Sequence, residues 1–140
     1  MSEEELVRGV LVGHGAMAEG LVNAVQKISG LGSEALVAIS NDGKSPDALL
    51  SELDSVLGAG PTIIFADLAS GSCAVAARIW CRENPDEIAI FGVNLPILLD
   101  FVFHRELPLR ELAARLVEKG RESIQSTLNG SGHANPPLPR

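Results

Sequence analysis

The chain is 140 residues long, 46% apolar and 21% charged, a size and composition that suit a single compact domain with one well-buried core. Its net charge of −7, without a basic patch, argues against nucleic acid and anionic membranes as partners. No apolar run approaches the roughly 18 residues of a membrane span, and the acidic residues at positions 3–5 are unlike a signal peptide. We therefore expect a cytoplasmic protein with no stable membrane insertion.

Strand and helix patterns alternate along the chain, with short turns between them. Four nearly continuous apolar runs predict strands that are buried on both faces: residues 7–12, 34–39, 61–66 and 87–93. Helical periodicity follows each of these runs. The sequence therefore predicts a three-layer α/β fold, with a central, mostly parallel sheet in the order 2-1-3-4 and helices on both faces.

The helices are marked by their first residues and by their apolar faces. Ser45 and Pro46 are a good capping and first-turn pair for the second helix, and Pro96 and Pro108 each begin one of the last two. The first helix carries its predicted apolar face on Ala18, Leu21, Val22, Val25 and Ile28. From residue 129 onward the chain is polar and rich in glycine and proline, so residues 1–128 are expected to form the domain and residues 129–140 a flexible tail or linker stub.

His14 stands between two glycines, directly after the first predicted strand. In open α/β sheets, ligands and reacting groups gather just beyond the carboxyl ends of the strands. Gly13 and Gly15 leave the imidazole ring uncrowded and allow a phosphate or another backbone to approach it. We interpret His14 as a candidate for chemistry, with a hydrogen-bonding role in the loop as the alternative.

Asp67 stands in the equivalent position after the third predicted strand. If the first and third strands are neighbours, its carboxylate lies beside the His14 ring. A carboxylate that accepts a hydrogen bond from one imidazole nitrogen fixes the tautomer and makes the other nitrogen the better nucleophile.

A short turn and an alanine-rich helix follow Asp67. Because this helix begins near Gly71 and Ser72, the free backbone amides of Gly71, Ser72 and Cys73 form an anion site close to His14. A nucleophile, an orienting carboxylate and anion-binding amides together indicate phosphoryl transfer through a phosphohistidine.

Three motifs carry a resemblance to a known family: Gly13-His14-Gly15, Asp67 with the Ser70-Gly71-Ser72 turn, and Gly92-Val93-Asn94-Leu95-Pro96-Ile97-Leu98. In order and spacing they are similar to the mannose-family enzyme IIA component of the bacterial phosphotransferase system, over residues 7–128. The resemblance implies that His14 takes a phosphoryl group from the phosphocarrier protein HPr and passes it to an enzyme IIB component. It also implies a homodimer whose sheet gains an exchanged antiparallel edge strand, which no segment of the sequence identifies.

The loop after Asp67 departs from that family, which usually has Gly-Gly-Ser-Pro where this chain has Ser70-Gly71-Ser72-Cys73. Proline in the first helical turn presets φ and brings no N–H donor. Cys73 therefore predicts a less rigid loop with one more amide available to an anion.

The segment after the fourth predicted strand has two interpretations. Asn94 and Pro96 could line a groove for partner docking, together with Gly15 beside the histidine, or they could only cap the next helix. The sequence favours neither.

No metal site and no bound cofactor are expected. His14, His104 and His133 fall in three different segments without ligand spacing, and His104 is expected to end a helix. Cys73 and Cys81 would lie about 12 Å apart along one helix, which is too far for a disulfide. Both are therefore expected as thiols.

Two other functions stay open at this point. A histidine phosphatase or mutase also places a histidine at the end of its first strand, but it needs an arginine directly before that histidine, where this chain has Gly13, and a second catalytic histidine. The second is a regulatory module, in which phosphorylated His14 acts as a signal and does not support sugar transport. A carrier passes its phosphoryl group to a IIB protein, whereas a regulatory module does not.

Overall fold

The computed structural model describes residues 6–58 and 60–128. Within these ranges, strands and helices alternate up to β4 and two helices follow it. They are β1 (Arg8–Gly13), α1 (Met17–Ser29), β2 (Leu36–Ser40), α2 (Pro46–Val56), β3 (Thr62–Ala66), α3 (Ser72–Glu83), β4 (Ile88–Phe91), α4 (Leu95–Phe103) and α5 (Leu109–Ser123). The tail predicted for residues 129–140 lies outside the described residues.

The four strands form one parallel sheet in the order β2-β1-β3-β4, which confirms the predicted fold and order. Val12 pairs with Ala66, and Gly13 pairs with Ser40, so three strands end at the same level. The loops that follow β1, β2 and β3 therefore meet at one edge of the sheet. Among the described residues there is no antiparallel strand.

Helices cover both faces of the sheet. On one face, α1, α4 and α5 pack over Leu11 and Phe65, and the Phe101 ring of α4 meets Phe65 edge to face with ring centroids 5.2 Å apart. On the other face, α2 and α3 pack over Val10 and Ile64. Successive strand residues point to opposite faces of the sheet. Because both faces are covered by helices, the strands are continuous apolar runs in the sequence.

The fourth strand is shorter than its apolar run predicts. The sequence indicates a strand over residues 87–93, whereas β4 ends at Phe91. Gly92 has a φ of 73°, which leaves the strand conformation, and the amides of Gly92 and Val93 both donate to the carbonyl of Ala66, at 2.9 and 3.2 Å. The chain therefore turns over the end of β3 before α4 begins.

The predicted helix starts are confirmed, and the predicted face of α1 is confirmed except at its end. Ser45 accepts a hydrogen bond from the Ala48 amide, as a capping residue does. Ala18, Val22 and Val25 are buried, but Ile28 is 62% exposed because it lies at the margin of the stripe in the last turn. Within the described ranges, no helix is both long enough and apolar enough to cross a bilayer.

Gly9 tests the packing of β1 against α4. A Cβ atom at this position would lie 2.8 Å from Phe101 Cε2 and 2.9 Å from Leu36 Cδ1, too close without a shift of the core. We expect Gly9→Ala to lower the free energy of unfolding by about 1–3 kcal/mol, measured by urea denaturation. Gly20→Ala is the matched control, because a Cβ there meets nothing within 4 Å, and it should raise stability by up to about 1 kcal/mol. Equal stability of Gly9→Ala and the unmodified protein would contradict this packing.

Candidate functional site

The strand ends bring His14 and Asp67 together as predicted. Asp67 Oδ2 accepts a hydrogen bond from the His14 backbone amide at 2.9 Å and lies 2.8 Å from His14 Nδ1. The His14 side chain is 41% exposed, whereas the Asp67 side chain is 4% exposed. One buried carboxylate oxygen therefore fixes both the backbone and the ring of a histidine that faces solvent.

This contact determines which ring nitrogen is free to react. An ionised carboxylate only accepts hydrogen bonds, so the geometry assigns the ring hydrogen of neutral His14 to Nδ1. Nε2 then carries the lone pair. His14 is therefore oriented as a nucleophile through Nε2.

Asp67 is held in its ionised form. Burial favours the neutral acid, but hydrogen bonds from the His14 amide and ring, together with the positive charge that the ring carries when it is protonated, lower the pKa of Asp67 below its ordinary value. A charged carboxylate thus stays beside the ring at neutral pH.

The N-terminus of α3 faces the free nitrogen of His14. Gly71 caps this helix with a φ of 91°, and a Cβ built on it would lie 3.6 Å from His14 Nε2. The first hydrogen bond of the helix runs from the Val75 amide to the Gly71 carbonyl, so the amides of Ser72 and Cys73 have no acceptor within the helix. These amides and the helix dipole make the space next to Nε2 suitable for an anion.

Asn41 joins the two loops, a role that the sequence reading missed. Its Oδ1 accepts from the Gly15 amide at 3.4 Å, and its Nδ2 donates to Ser72 Oγ at 3.2 Å. The neighbouring Ser40 hydroxyl donates to the Gly15 carbonyl at 2.9 Å. Asn41 directly follows β2, as His14 and Asp67 follow β1 and β3, and this position in the sequence is the signal that could have found it.

Arg78 restrains the other side of the loop. Its Nη2 donates to the Ala69 carbonyl at 3.2 Å, and its guanidinium lies 4.0 Å from the centre of the Phe91 ring. This cation–π contact connects α3 with the end of β4. The loop between Asp67 and α3 is therefore held by side chains at both ends.

Cys73 lies under the histidine ring. Its side chain is fully buried, and its Sγ is 3.8 Å from His14 Nδ1. Burial, and then the negative charge of Asp67, raise the pKa of the Cys73 thiol. Cys73 and Cys81 are both free thiols, as predicted.

Asn94 and Pro96 have a structural role that the sequence left open. Asn94 caps α4, because its Oδ1 accepts from the Ile97 amide at 3.1 Å, and Pro96 lies in the first turn. Both follow β4, which lies two strands from β1, roughly 10 Å along the sheet. Gly15, which lies next to His14, has a φ of 59° and open space where a side chain would be.

The other histidines do not join the site within the described residues. His104 ends α4, where its Nδ1 donates to the Asp100 carbonyl at 2.8 Å. The next residue, Arg105, accepts a hydrogen bond from the Val7 amide, which places His104 near the amino end of β1 and away from His14. His133 lies outside the described residues.

Comparison with known families identifies the chain. A family model described as "PTS system fructose IIA component", the mannose-type enzyme IIA family, matches residues 9–118. The chain belongs to this family. No curated protein matches the chain. Membership in the enzyme IIA family supports phosphotransferase activity in general, a phosphotransfer role in sugar uptake, and partners within the phosphotransferase system such as HPr and enzyme IIB.

Solved structures share the enzyme IIA fold. The mannose/sorbose-specific IIA subunit from Enterococcus faecalis superposes with a TM-score of 0.79 at 24% identity and covers 96% of this chain and 99% of its own. The EIIA component from Streptococcus agalactiae gives 0.79 at 20% identity, over 86% and 97%. A sigma-54 interaction domain protein from Enterococcus faecalis gives 0.67 at 15% identity, over 86% and 94%. At these identities the likeness shows the fold.

The Asp67 titration tests the geometry of the site. We expect the side-chain carboxyl carbon of Asp67, followed by NMR, to titrate below the ordinary value of 3.8. Since the folded-state pKa is lowered, ionised Asp67 stabilises the fold above pH 3.8, and this contribution is lost as the pH falls through the folded-state value. His14→Ala removes the ring donor and should raise the pKa of Asp67. An unchanged Asp67 titration in that variant would mean that the ring does not stabilise the carboxylate.

Proposed function

We propose that this enzyme IIA protein is a phosphoryl carrier, which accepts a phosphoryl group from phospho-HPr on His14 and passes it to an enzyme IIB component during sugar uptake. The observation that carries the proposal is the position of His14 Nε2, opposite a ring nitrogen bound to Asp67 and next to the capping Gly71 of α3. A nucleophilic nitrogen and an anion-binding helix terminus thus face the same space.

The reaction uses the groups of this site in one in-line displacement. The Nε2 lone pair of His14 attacks phosphorus while the phosphorus–nitrogen bond to the HPr histidine breaks. The Nδ1 hydrogen stays on the His14 ring, and the positive charge that develops there is attracted to Asp67 at 2.8 Å. A nucleophile of the IIB component then attacks the same phosphorus, and Nε2 recovers its lone pair.

The amides at the start of α3 act on the transferring group. The backbone N–H groups of Gly71, Ser72 and Cys73, with the Ser72 hydroxyl, bind the phosphoryl oxygens as charge moves through the transition state. Asn41 and Arg78 keep these donors in place through Ser72 Oγ and the Ala69 carbonyl. The proposed steps use only groups of this chain and its protein partners.

Apolar side chains around His14 suit transient docking of two successive partners. Met17, Leu68 and Val75 are large, roughly half exposed, and stand in the loops and first turns that surround the site. An apolar interface core around a polar reaction centre excludes water during transfer. The net charge of −7 favours a basic donor protein, and Gly15, Asn94 and Pro96 extend the same edge of the sheet as candidates for docking.

The homodimer and the cytoplasmic location belong to the same proposal. In the described part of the chain, β2 and β4 each pair with a strand on one side only. A strand exchanged from a second copy would cover one of these two edges. A monomer in sedimentation equilibrium would contradict the dimer.

A regulatory phosphohistidine module is the second candidate. The fold is shared with a protein described as a sigma-54 interaction domain protein, and Cys73 stands where the family usually has proline. In this alternative His14 is phosphorylated by HPr, but the phosphoryl group does not move to a IIB protein. Transfer from the isolated phosphoprotein to a IIB component separates the two functions.

A histidine phosphatase is disfavoured, because Gly13 precedes His14 and His104 lies near the opposite end of β1.

The first test is phosphorylation of His14. With enzyme I, HPr and labelled phosphoenolpyruvate, we expect the chain to gain one acid-labile phosphoryl group on His14. His14→Ala should remove the label while leaving the circular dichroism spectrum unchanged, because the half-exposed ring contributes little to the core. His104→Ala is the control and should keep the label. Label that persists in His14→Ala, or that maps to another histidine, refutes the assignment.

The second test is the charge of Asp67. Asp67→Asn retains an oxygen that can accept from Nδ1, but it has no negative charge to stabilise the cationic ring. We expect the folded variant to be phosphorylated more than about tenfold more slowly, in line with the usual contribution of an oriented catalytic group. The rate is measured by rapid quench with labelled phospho-HPr. Unchanged kinetics would show that Asp67 and His14 are not coupled in the reaction.

A further inference from the structure

Three metal-ligating side chains meet on the inner side of the His14 ring. Ligand atoms of His14, Asp67 and Cys73 all lie within 4.8 Å of one another. Nδ1 is 2.8 Å from Asp67 Oδ2 and 3.8 Å from Cys73 Sγ. Two ligand atoms of one tetrahedral zinc ion stand roughly 3.4–3.6 Å apart, from the usual zinc–ligand bond lengths. Small shifts of these side chains would therefore bring all three into coordination.

A second observation points to a ligand at this cluster. Asp67 Oδ1 is buried and has no hydrogen-bond partner, in a residue that is 9% exposed. Both hydrogen bonds between Asp67 and His14 use the other carboxylate oxygen, Oδ2. Buried charges are normally paired or bound to a metal. A cation bound by the carboxylate and the thiol would balance the charge of Asp67.

The ligand types select the kind of metal. A thiolate, an imidazole and a carboxylate suit zinc and other soft or borderline divalent ions, whereas magnesium and calcium prefer oxygen ligands alone. Three protein ligands leave a fourth position for water, as in open zinc sites. The half-exposed His14 side chain is more exposed than the Asp67 and Cys73 side chains, which are buried.

We propose that His14, Asp67 and Cys73 bind one zinc-class divalent ion, and that the bound ion prevents phosphorylation of His14. The second half of this statement rests on the proposed carrier function. Coordination uses the Nδ1 lone pair of the neutral ring, so the ring hydrogen moves to Nε2 through solvent. Nε2 then has no lone pair for attack on phosphorus. Cys73 binds as thiolate, and its proton is released to solvent.

The binding half is tested with Co²⁺ in the metal-free protein, because cobalt bound to sulfur shows a thiolate-to-metal charge-transfer absorption. We expect one Co²⁺ per chain, displaced by Zn²⁺, with this absorption present. Cys73→Ala should lose the absorption and bind Zn²⁺ at least about tenfold more weakly, since even outer-shell changes at metal sites cost that much. Cys81→Ala is the matched control, because Cys81 lies on the same helix outside the cluster. Equal Zn²⁺ affinity of Cys73→Ala and the unmodified protein overturns the site.

Inhibition of His14 phosphorylation by the bound ion is measured as the ratio of the phosphorylation rates with and without Zn²⁺, within each variant. Zn²⁺ at a concentration that saturates the site should stop labelling of the unmodified protein and of Cys81→Ala, and should change labelling of Cys73→Ala much less. Cys73→Ala also reports any effect of the ion on enzyme I or HPr. Full labelling of the zinc-bound protein overturns the inhibition. A metal-free protein that takes no label would refute the carrier function, whereas the cobalt spectrum tests the site independently.

Discussion

The site depends on one carboxylate oxygen, Oδ2 of Asp67, which binds His14 twice. The backbone amide and the ring nitrogen Nδ1 both approach it, at 2.9 and 2.8 Å. The amide contact fixes where the β1 loop turns, and the ring contact fixes which nitrogen faces solvent. Because His14 follows β1 and Asp67 follows β3, the contact exists only while these parallel strands are neighbours in register. The core that holds the two strands together therefore also sets the chemistry at their ends.

Much of this arrangement could be predicted from the sequence, because it follows from rules that act locally or through the sheet. Apolar runs locate the strands, and a parallel sheet collects the residues that follow them at one edge. His14 and Asp67 are each the first ionisable residue after such a run. Gly71 is located in the same way, since the alanine-rich helix must begin near it.

The contacts that the sequence reading missed join residues that are distant along the chain. Asn41 binds Gly15 and Ser72, which are 26 and 31 positions away, and nothing in the sequence gives the distance between those loops. The contact between Cys73 and the His14 ring also joins distant parts of the chain. It could not be predicted because it depends on the rotation of α3 about its axis. β4 ends early where Gly92 leaves the strand conformation, and the amides of Gly92 and Val93 both donate to the Ala66 carbonyl of β3, a residue 26 positions before Gly92.

The loop before α3 shows how a local prediction can be modified by its surroundings. Cys73, which stands where the family usually has proline, predicts a less rigid turn. In the structure, Arg78 holds the Ala69 carbonyl and Asn41 holds the Ser72 hydroxyl. A proline would have fixed the backbone at position 73. In this chain the loop is instead held by two side chains, Arg78 from α3 and Asn41 from the residue after β2.

Gly71 restricts how this protein can change by mutation. Its φ of 91° is unfavourable for any residue with a side chain, and a Cβ would lie 3.6 Å from His14 Nε2, the nitrogen to which the proposed reaction adds phosphorus. A distant mutation that stabilised the fold could offset the backbone strain, but it could not remove the added methyl group from its place beside Nε2. Replacement of this glycine is therefore closed to stepwise compensation, whereas the other loop positions, such as Cys73, place no side chain so close to Nε2.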